Sequence, residues 1–347
     1  MIRNRLAAKF LLLFLAACIG AGCTNKPDVP PAEEPFDITI ATYFRPDIVI
    51  PPKDNEVERA IEAYTHTRLD IQWIPNFAYE EKIGFMIASS RMPKLLKMRM
   101  EPTTIAAIRS GLFWEIGPYL PKYKNLAAHT AYFDNIAVEG KLYGVPNFRD
   151  MARYAILYRS DWLNALGLEP PANLEDWYRV MKAMRLEDPD GNGLKDTYGM
   201  VLGRDYNVMN TPNTPILPPL AIGEGGYNEW GIVDGKFVPD FEAKPYFETM
   251  KLFRRLYAED LINKDFSVYD DSREDFNRLG RSGFISGAAL SAKIYQEELS
   301  RRFPGAQVDI APIVGSAGRR VLAEPGNNGF YLIPKKASLP KPSWIKC

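Results

Sequence analysis

The chain has 347 residues, 46% of them hydrophobic and 25% charged, with 43 Lys plus Arg set against 43 Asp plus Glu. That length allows two domains with a real core, and the balanced charge offers no basic footprint for nucleic acid or an anionic membrane surface. The only two histidines, His66 and His129, are far apart in sequence, which argues against a zinc hydrolase or a Ser-His-Asp enzyme.

Met1 to Lys9 forms a basic n-region, and Phe10 to Ile19 is apolar but too short for a mature membrane span. Cys23 follows Gly20-Ala21-Gly22 and precedes the polar run Thr24-Asn25-Lys26. This pattern resembles a bacterial lipoprotein signal, in which residues 1–22 are removed and Cys23 is acylated. Leu15-Ala16-Ala17-Cys18 is a rival lipobox, but Lys9 lies close to Cys18 and the polar flank begins only after Cys23. An ordinary cleaved secretion signal is the third reading. Loss of Arg3, Arg5 and Lys9 with the leader leaves a slightly acidic chain. The third cysteine, Cys347, is the last residue, so no disulfide framework is expected. Residues 23–35, rich in Pro and charge, read as a flexible tether.

Asp37 to Thr42 alternates as a first strand, with Tyr43, Phe44 and Arg45 at its carboxyl end. Asn55 with Glu58 predicts a capped helix to Tyr64, with Val57, Ala60, Ile61 and Tyr64 on one face. Leu69, Ile71 and Trp73 predict a second strand ending at Pro75-Asn76. Tyr79, Ile83, Met86 and Ile87 predict a second helix, Leu95 to Met98 a third strand, and Ile105, Ile108 and Leu112 a third helix. This alternation predicts an α/β lobe with a parallel sheet. Lys141 to Pro146 reads as a strand into a hinge, and Tyr154 to Tyr158 as a strand opening a second lobe. Asn173 caps a helix with Trp177, Val180, Met181 and Met184 facing inward. The four prolines within Asn210–Pro219 predict a loop. Pro245 opens a long helix with Tyr246, Met250, Phe253 and Tyr257 at helical spacing. Val308–Ala311 and Gly329–Ile333 read as strands, and a helix is expected after Lys336 to cover the last of them.

Between these elements lies Asp188-Pro189-Asp190-Gly191-Asn192-Gly193-Leu194-Lys195-Asp196-Thr197-Tyr198-Gly199. Hard oxygens at Asp188, Asp190 and Asn192, the Leu194 carbonyl and Asp196 follow the ligand spacing of a calcium loop. The twelfth position is Gly199 rather than a bidentate Glu, so another acid or water would complete the shell. The alternative is an Asp/Asn/Gly turn without metal. Any Ca²⁺ here is expected to be structural, and no catalytic cofactor is expected.

Several stretches together resemble family 1 extracellular solute-binding proteins of sugar ABC transporters, most of all the long lipoproteins of Gram-positive bacteria. They are Gly140-Lys141-Leu142-Tyr143-Gly144-Val145-Pro146, Tyr158-Arg159-Ser160-Asp161-Trp162-Leu163 with Leu166-Gly167-Leu168, Asp188 to Gly199, Tyr257 to Ile262, and Ala311 to Gly315. The family's Ala-Ser-Gly-Asp-x-Pro-Asp run is here Ala88-Ser89-Ser90-Arg91-Met92-Pro93-Lys94. The resemblance implies a type II periplasmic-binding-protein-like α/β fold of two lobes, each a mostly parallel sheet flanked by helices. Residues 36–147 would form the first lobe, 148–328 the second with the calcium-type loop 188–199, and 329–347 an incomplete return to the first. Family members run on beyond this point, so a truncated or frameshifted product is expected.

The implied function is a lipid-anchored monomer on the extracellular face of the membrane that binds an oligosaccharide in the cleft between lobes and delivers it to ABC permease subunits. Sugars are gripped by aromatic faces and polar side chains beyond strand ends. Tyr43, Arg45, Asn76, Phe148 and Arg149 are therefore the candidates, with Tyr227 and Trp230 from the Gly-rich stretch 223–231. Trp73, Trp162 and Trp177 fall on apolar faces and read as core. The rival readings are a secreted glycoside hydrolase, which needs two paired carboxylates, and a surface sugar-binding sensor or adhesin. Ser286 lacks the Gly two residues before it that a nucleophile elbow requires.

Overall fold

The computed structural model describes residues 34–44, 49–128, 130–207, 215–270, 272–320 and 322–337. The leader, Cys18, Cys23, most of the tether, Arg45, His129 and Cys347 lie outside them. The chain divides into two compact units, 1–115 with 331–347, and 116–330. The division falls well before the strand expected to carry the hinge. Backbone bonds explain this: the Ile116 and Gly117 N–H groups donate to the Leu142 carbonyl, which binds the intervening stretch to the second unit.

In the first unit, β1 (Phe36–Phe44) pairs in parallel with β2 (Thr67–Pro75) along its whole length, and with β3 (Leu95–Met98) on its other side. Helix α1 (Glu56–Thr65) joins β1 to β2, α2 (Asn76–Ala88) joins β2 to β3, and α3 (Pro102–Arg109) follows. Asn55 caps α1, its side chain accepting from Val57 N at 3.0 Å and Glu58 N at 3.1 Å. The apolar face of α1 is outward: Val57, Ile61 and Tyr64 are exposed, and Glu58 is the buried residue. The capping network decides the side. Glu58 accepts from Asp54 N and Lys53 Nζ, and Glu62 accepts from Leu69 N at 2.7 Å, which turns the acidic flank onto β2. Trp73, expected in the core, is 39% exposed because β2 is an edge strand. Beneath the sheet, Tyr79, Ile83 and Met86 of α2 are buried as expected. The chain re-enters this unit at Tyr331, and the Trp114 and Lys335 N–H groups donate to the Ile333 and Leu112 carbonyls.

The second unit carries β4 (Gly144–Phe148) and centres on β5 (Tyr154–Arg159), flanked by β8 (Phe284–Ala288) and β9 (Val308–Ala311). Both neighbours run antiparallel to β5, so this sheet corrects the expectation of a mostly parallel second lobe. β8 and β9 run parallel to each other, joined by the helix Ser291–Arg302; β5 inserts between them in the opposite sense. Trp162, Trp177, Val180, Met181, Met184 and Phe284 meet in one core. The helix Leu174–Leu186 is capped by Asn173 as its sequence predicts. Part of the Pro-rich stretch is not a loop. Pro218 and Pro219 open the buried helix Leu217–Gly223, at positions where a helix needs no N–H donor. In the helix Lys244–Ala258 the expected stripe splits: Tyr246 and Phe253 are buried with Leu252 and Leu256, whereas Met250 and Tyr257 are exposed. β6 (Trp230–Val233) and β7 (Lys236–Pro239) form a hairpin turned at Asp234-Gly235, both with positive φ. Among the described residues, no helix is long and apolar enough to cross a membrane.

Candidate functional site

Because β1, β2 and β3 are parallel, their carboxyl ends share one edge, where α/β sheets present ligand-binding side chains. Tyr43 closes β1 there. Its ring stands edge-on to Tyr79 at 5.1 Å, with Lys97 Nζ 4.0 Å and the Arg99 guanidinium 4.8 Å from its centroid. Tyr79 ties the edge together by donating to the Ala41 carbonyl at 3.1 Å and the Lys97 carbonyl at 2.5 Å. Burial pushes its phenol well above the ordinary range. Asn76, the first residue of α2, is exposed at the end of β2, and its side chain makes no cap. Desolvation and the nearby Glu101 carboxylate raise Glu80, and Arg99 opposes them.

In the second unit, Phe148 packs edge-on against Tyr132 at 5.4 Å and Phe133 at 6.4 Å. Arg149 N donates to the Gly326 carbonyl at 2.9 Å, and Glu324 N donates to the Met151 carbonyl at 2.8 Å. Gly326 has φ 75°, and a Cβ there would fall 2.6 Å from the Tyr132 ring. Asn135 Nδ2 donates to the Pro325 carbonyl and Asn228 Nδ2 to the Ala323 carbonyl, each at 2.8 Å. Stretches 132–135, 148–153 and 323–326 therefore form one wall, tied through Asn228 to the hairpin. Tyr227 lays its ring over Gly231, where a Cβ would meet it at 2.5 Å, so Tyr227 serves as packing as well as surface. Trp230 is 60% exposed, on the same hairpin face as Ile232 and Phe237. Sequence reasoning missed Lys97, Arg99, Tyr132, Arg153 and Glu324. Only Glu324-Pro325-Gly326 carried a local signal, as a turn.

The acidic loop is ordered around its own backbone. The Asp188 carboxylate accepts from Asn192 N at 3.2 Å and Gly193 N at 2.9 Å, and the Gly193 bond leads in holding it below the usual carboxylate range. Desolvation and Asp188 raise Asp190. Asn192 Nδ2 donates to both Asp190 Oδ2 at 2.9 Å and Asp196 Oδ1 at 3.3 Å. An amide donor thus bridges two carboxylates that a cation could bridge instead. The oxygen set suits a hard cation in kind, although no group of three or more His, Cys, Asp or Glu among the described residues is arranged to hold a metal. The twelfth position cannot supply a ligand side chain. Gly199 lies on the helix below, where a Cβ would fall 2.8 Å from Met181 Cα.

Two α/β units, the first built on parallel strands and completed by returning chain, define the type II periplasmic-binding-protein-like class. Residues 52–341 match the model for bacterial extracellular solute-binding proteins, and the chain belongs to that family. Lipoprotein LipO of Bacillus subtilis (strain 168) is 34% identical over 346 residues, covering 97% of this chain and 68% of LipO. The polygalacturonan/rhamnogalacturonan-binding protein YtcQ of the same strain is 32% identical over 292 residues, covering 82% of this chain and 57% of YtcQ. Among solved structures, an extracellular solute-binding protein from Bifidobacterium longum subsp. infantis superposes with TM-score 0.67 at 18% identity, over 86% of this chain and 63% of that one. An EF-hand mutant of Streptococcus pneumoniae FusA in complex with fructo-nystose gives TM-score 0.63 at 19% identity, over the same shares. These two structures establish the fold alone. The chain spans 68% of LipO and 57% of YtcQ.

Proposed function

We propose that the chain is the solute-capturing component of an ABC importer, binding an oligosaccharide without altering it and delivering it to membrane permease subunits. The observation that carries the reading is the parallel edge of the first unit, where the Tyr43 ring lies beside the exposed Arg99, while the buried Lys97 backs the ring. An aromatic face beside hydrogen-bond donors suits a sugar ring, with its C–H patch and its hydroxyls. Tyr43 and Asn76 of the first unit and Phe148, Arg149, Tyr227 and Trp230 of the second are the proposed contacts, with Arg45 from outside the described residues. YtcQ and the fructooligosaccharide-binding FusA bind saccharides by name, and both support the class. The cations at both edges make uronate-bearing oligomers a natural part of the panel.

Acylation at Cys23, with Cys18 as the rival, would hold the protein at the outer face of the membrane; LipO is named a lipoprotein. Residues 36–147 and 329–347 as one lobe and 148–328 as the other remain the proposed functional division. In the acidic loop, Asp188, Asp190, Asn192, the Leu194 carbonyl and Asp196 would hold a structural Ca²⁺, which would staple the exit of the helix Leu174–Leu186. The EF-hand named for FusA supports that reading.

Titrating the protein with galacturonan and fructan oligomers, with tryptophan fluorescence and chromatography of the recovered sugar, tests the proposal. Saturable binding with intact sugar supports it. A shortened product would mark a glycoside hydrolase, and no response across the panel would overturn the saccharide reading.

A further inference from the structure

The second unit holds a cavity of about 310 Å³ lined by none of the residues assigned above. Four rings frame it. Tyr206 lies 5.7 Å from Phe253 and 5.3 Å from Phe266, and Phe266 meets Tyr257 edge-on at 5.8 Å. Leu202 and Leu217, both buried, form its floor. Met250 and Tyr257 stand at its side with 46% and 42% of their surface exposed. These are the two residues of the expected helical stripe that the core does not take up.

Two cations complete the lining. Lys264 is already engaged: its ammonium donates to the Tyr257 carbonyl, lies 3.8 Å from Asp260 and sits 4.1 Å above the Tyr257 ring. Arg254 is exposed, and its guanidinium makes no hydrogen bond or ion pair among the described residues. The cavity therefore pairs an aromatic box with one uncommitted guanidinium. Its volume lies at the small end of ligand pockets, about 300–1,000 Å³. Beyond the cations, the Ser267 hydroxyl is the one polar side-chain group besides the Tyr phenols. A flat apolar body bearing a single anion fits it well.

We propose that this cavity is a second ligand site, taking a small aromatic carboxylate whose ring system fills the box and whose carboxylate pairs with Arg254. The site is independent of the saccharide reading, and its test uses no sugar. Isothermal titration of the full chain with 2-naphthoate should give saturable binding, with Kd roughly 1 mM or tighter at the efficiency of ordinary ligands. The uncharged 2-naphthamide should bind about fivefold more weakly, the scale of a partly exposed ion pair. Arg254→Ala should weaken naphthoate by the same factor and leave the amide unchanged, and Ser267→Trp should abolish both by filling the space. Both positions are exposed, so both variants should keep the parent melting temperature. If Ser267→Trp fails to fold, the Arg254→Ala comparison decides alone. Absence of saturation, equal affinity for acid and amide, or naphthoate binding unchanged by Arg254→Ala would overturn the proposal.

Discussion

Arg153 and Glu324 are 171 positions apart in the chain, yet Arg153 Nε lies 2.5 Å from Glu324 Oε2. The pair is flanked by the Met151–Glu324 and Arg149–Gly326 backbone bonds, so it fixes the wall that carries Phe148 and Arg149. Both side chains are largely shielded, at 17% and 7% exposure. Glu324→Ala leaves a guanidinium largely out of water with no carboxylate. We expect a loss of about 3 kcal/mol in urea unfolding, since breaking a shielded pair strands the remaining charge. The double variant Arg153→Met/Glu324→Leu should recover most of that loss, which would separate stranded charge from lost attraction.

Tyr269 gives a prediction with a definite pH window. Its hydroxyl donates to Asp275, which also accepts from Arg281 Nε at 2.9 Å and is fully buried. Burial first, then the Asp275 carboxylate, pushes the phenol up to about 12 from an ordinary value of 10.0. Between those values the folded state keeps a proton that the unfolded chain releases, so stability falls as pH rises from about 10 to about 12. Allowing for solvent screening at this half-buried site, the loss should be about 1 kcal/mol. Unfolding curves across that range should fall in both proteins, because Tyr79 is raised as well, but by about 1 kcal/mol less in Tyr269→Phe.

The acidic loop is tested by melting. If Ca²⁺ binds, a concentration near 100 times its Kd adds about 2.7 kcal/mol, or roughly 5–10 °C for a unit of this size. The rise should vanish with chelator and be lost in Asp190→Ala. Gly199→Glu, which restores the usual twelfth ligand by sequence, should instead destabilise the protein by about 3 kcal/mol, because its Cβ meets the Met181 backbone. Equal melting of the parent with calcium and with chelator would reduce the loop to a turn.

Local rules carried the fold where local forces decide it. Asn173, with Trp177, Val180, Met181 and Met184 at helical spacing, forms the capped, inward-facing helix its sequence describes. The apolar stripe of α1 misled, because Glu58 and Glu62 bind backbone and lysine groups that no periodicity counts. Asp234-Gly235 is a hairpin turn signal, but it lies just beyond the Gly-rich stretch 223–231, and the sequence reading assigns no strands there. The orientation of β5 and the wall joining Phe133, Phe148 and Glu324 depend on pairings between distant segments. The position of Tyr43 and Asn76 at the sheet edge is legible because a parallel strand's carboxyl end is set by chain direction. Lys97 and Arg99 were not, because their role comes from Tyr43 on the neighbouring strand.

That last relationship yields the sharpest test of the binding reading. Tyr43 offers a ring face to Lys97 and Arg99, and its own hydroxyl is not needed for stacking. Tyr43→Phe should therefore keep saccharide affinity within about twofold, whereas Tyr43→Ala should weaken it about tenfold, the scale of an aromatic anchor. Trp230→Ala should give a comparable loss, and Trp230→Phe should retain binding while removing much of the fluorescence response. Trp73→Phe serves as the control: Trp73 is exposed on an edge strand and is not assigned to the solute, so its removal should change the baseline emission and not the Kd. A panel in which neither Tyr43→Ala nor Trp73→Phe changes binding would place the solute away from the parallel edge, since Trp73 pairs with Thr42 beside Tyr43.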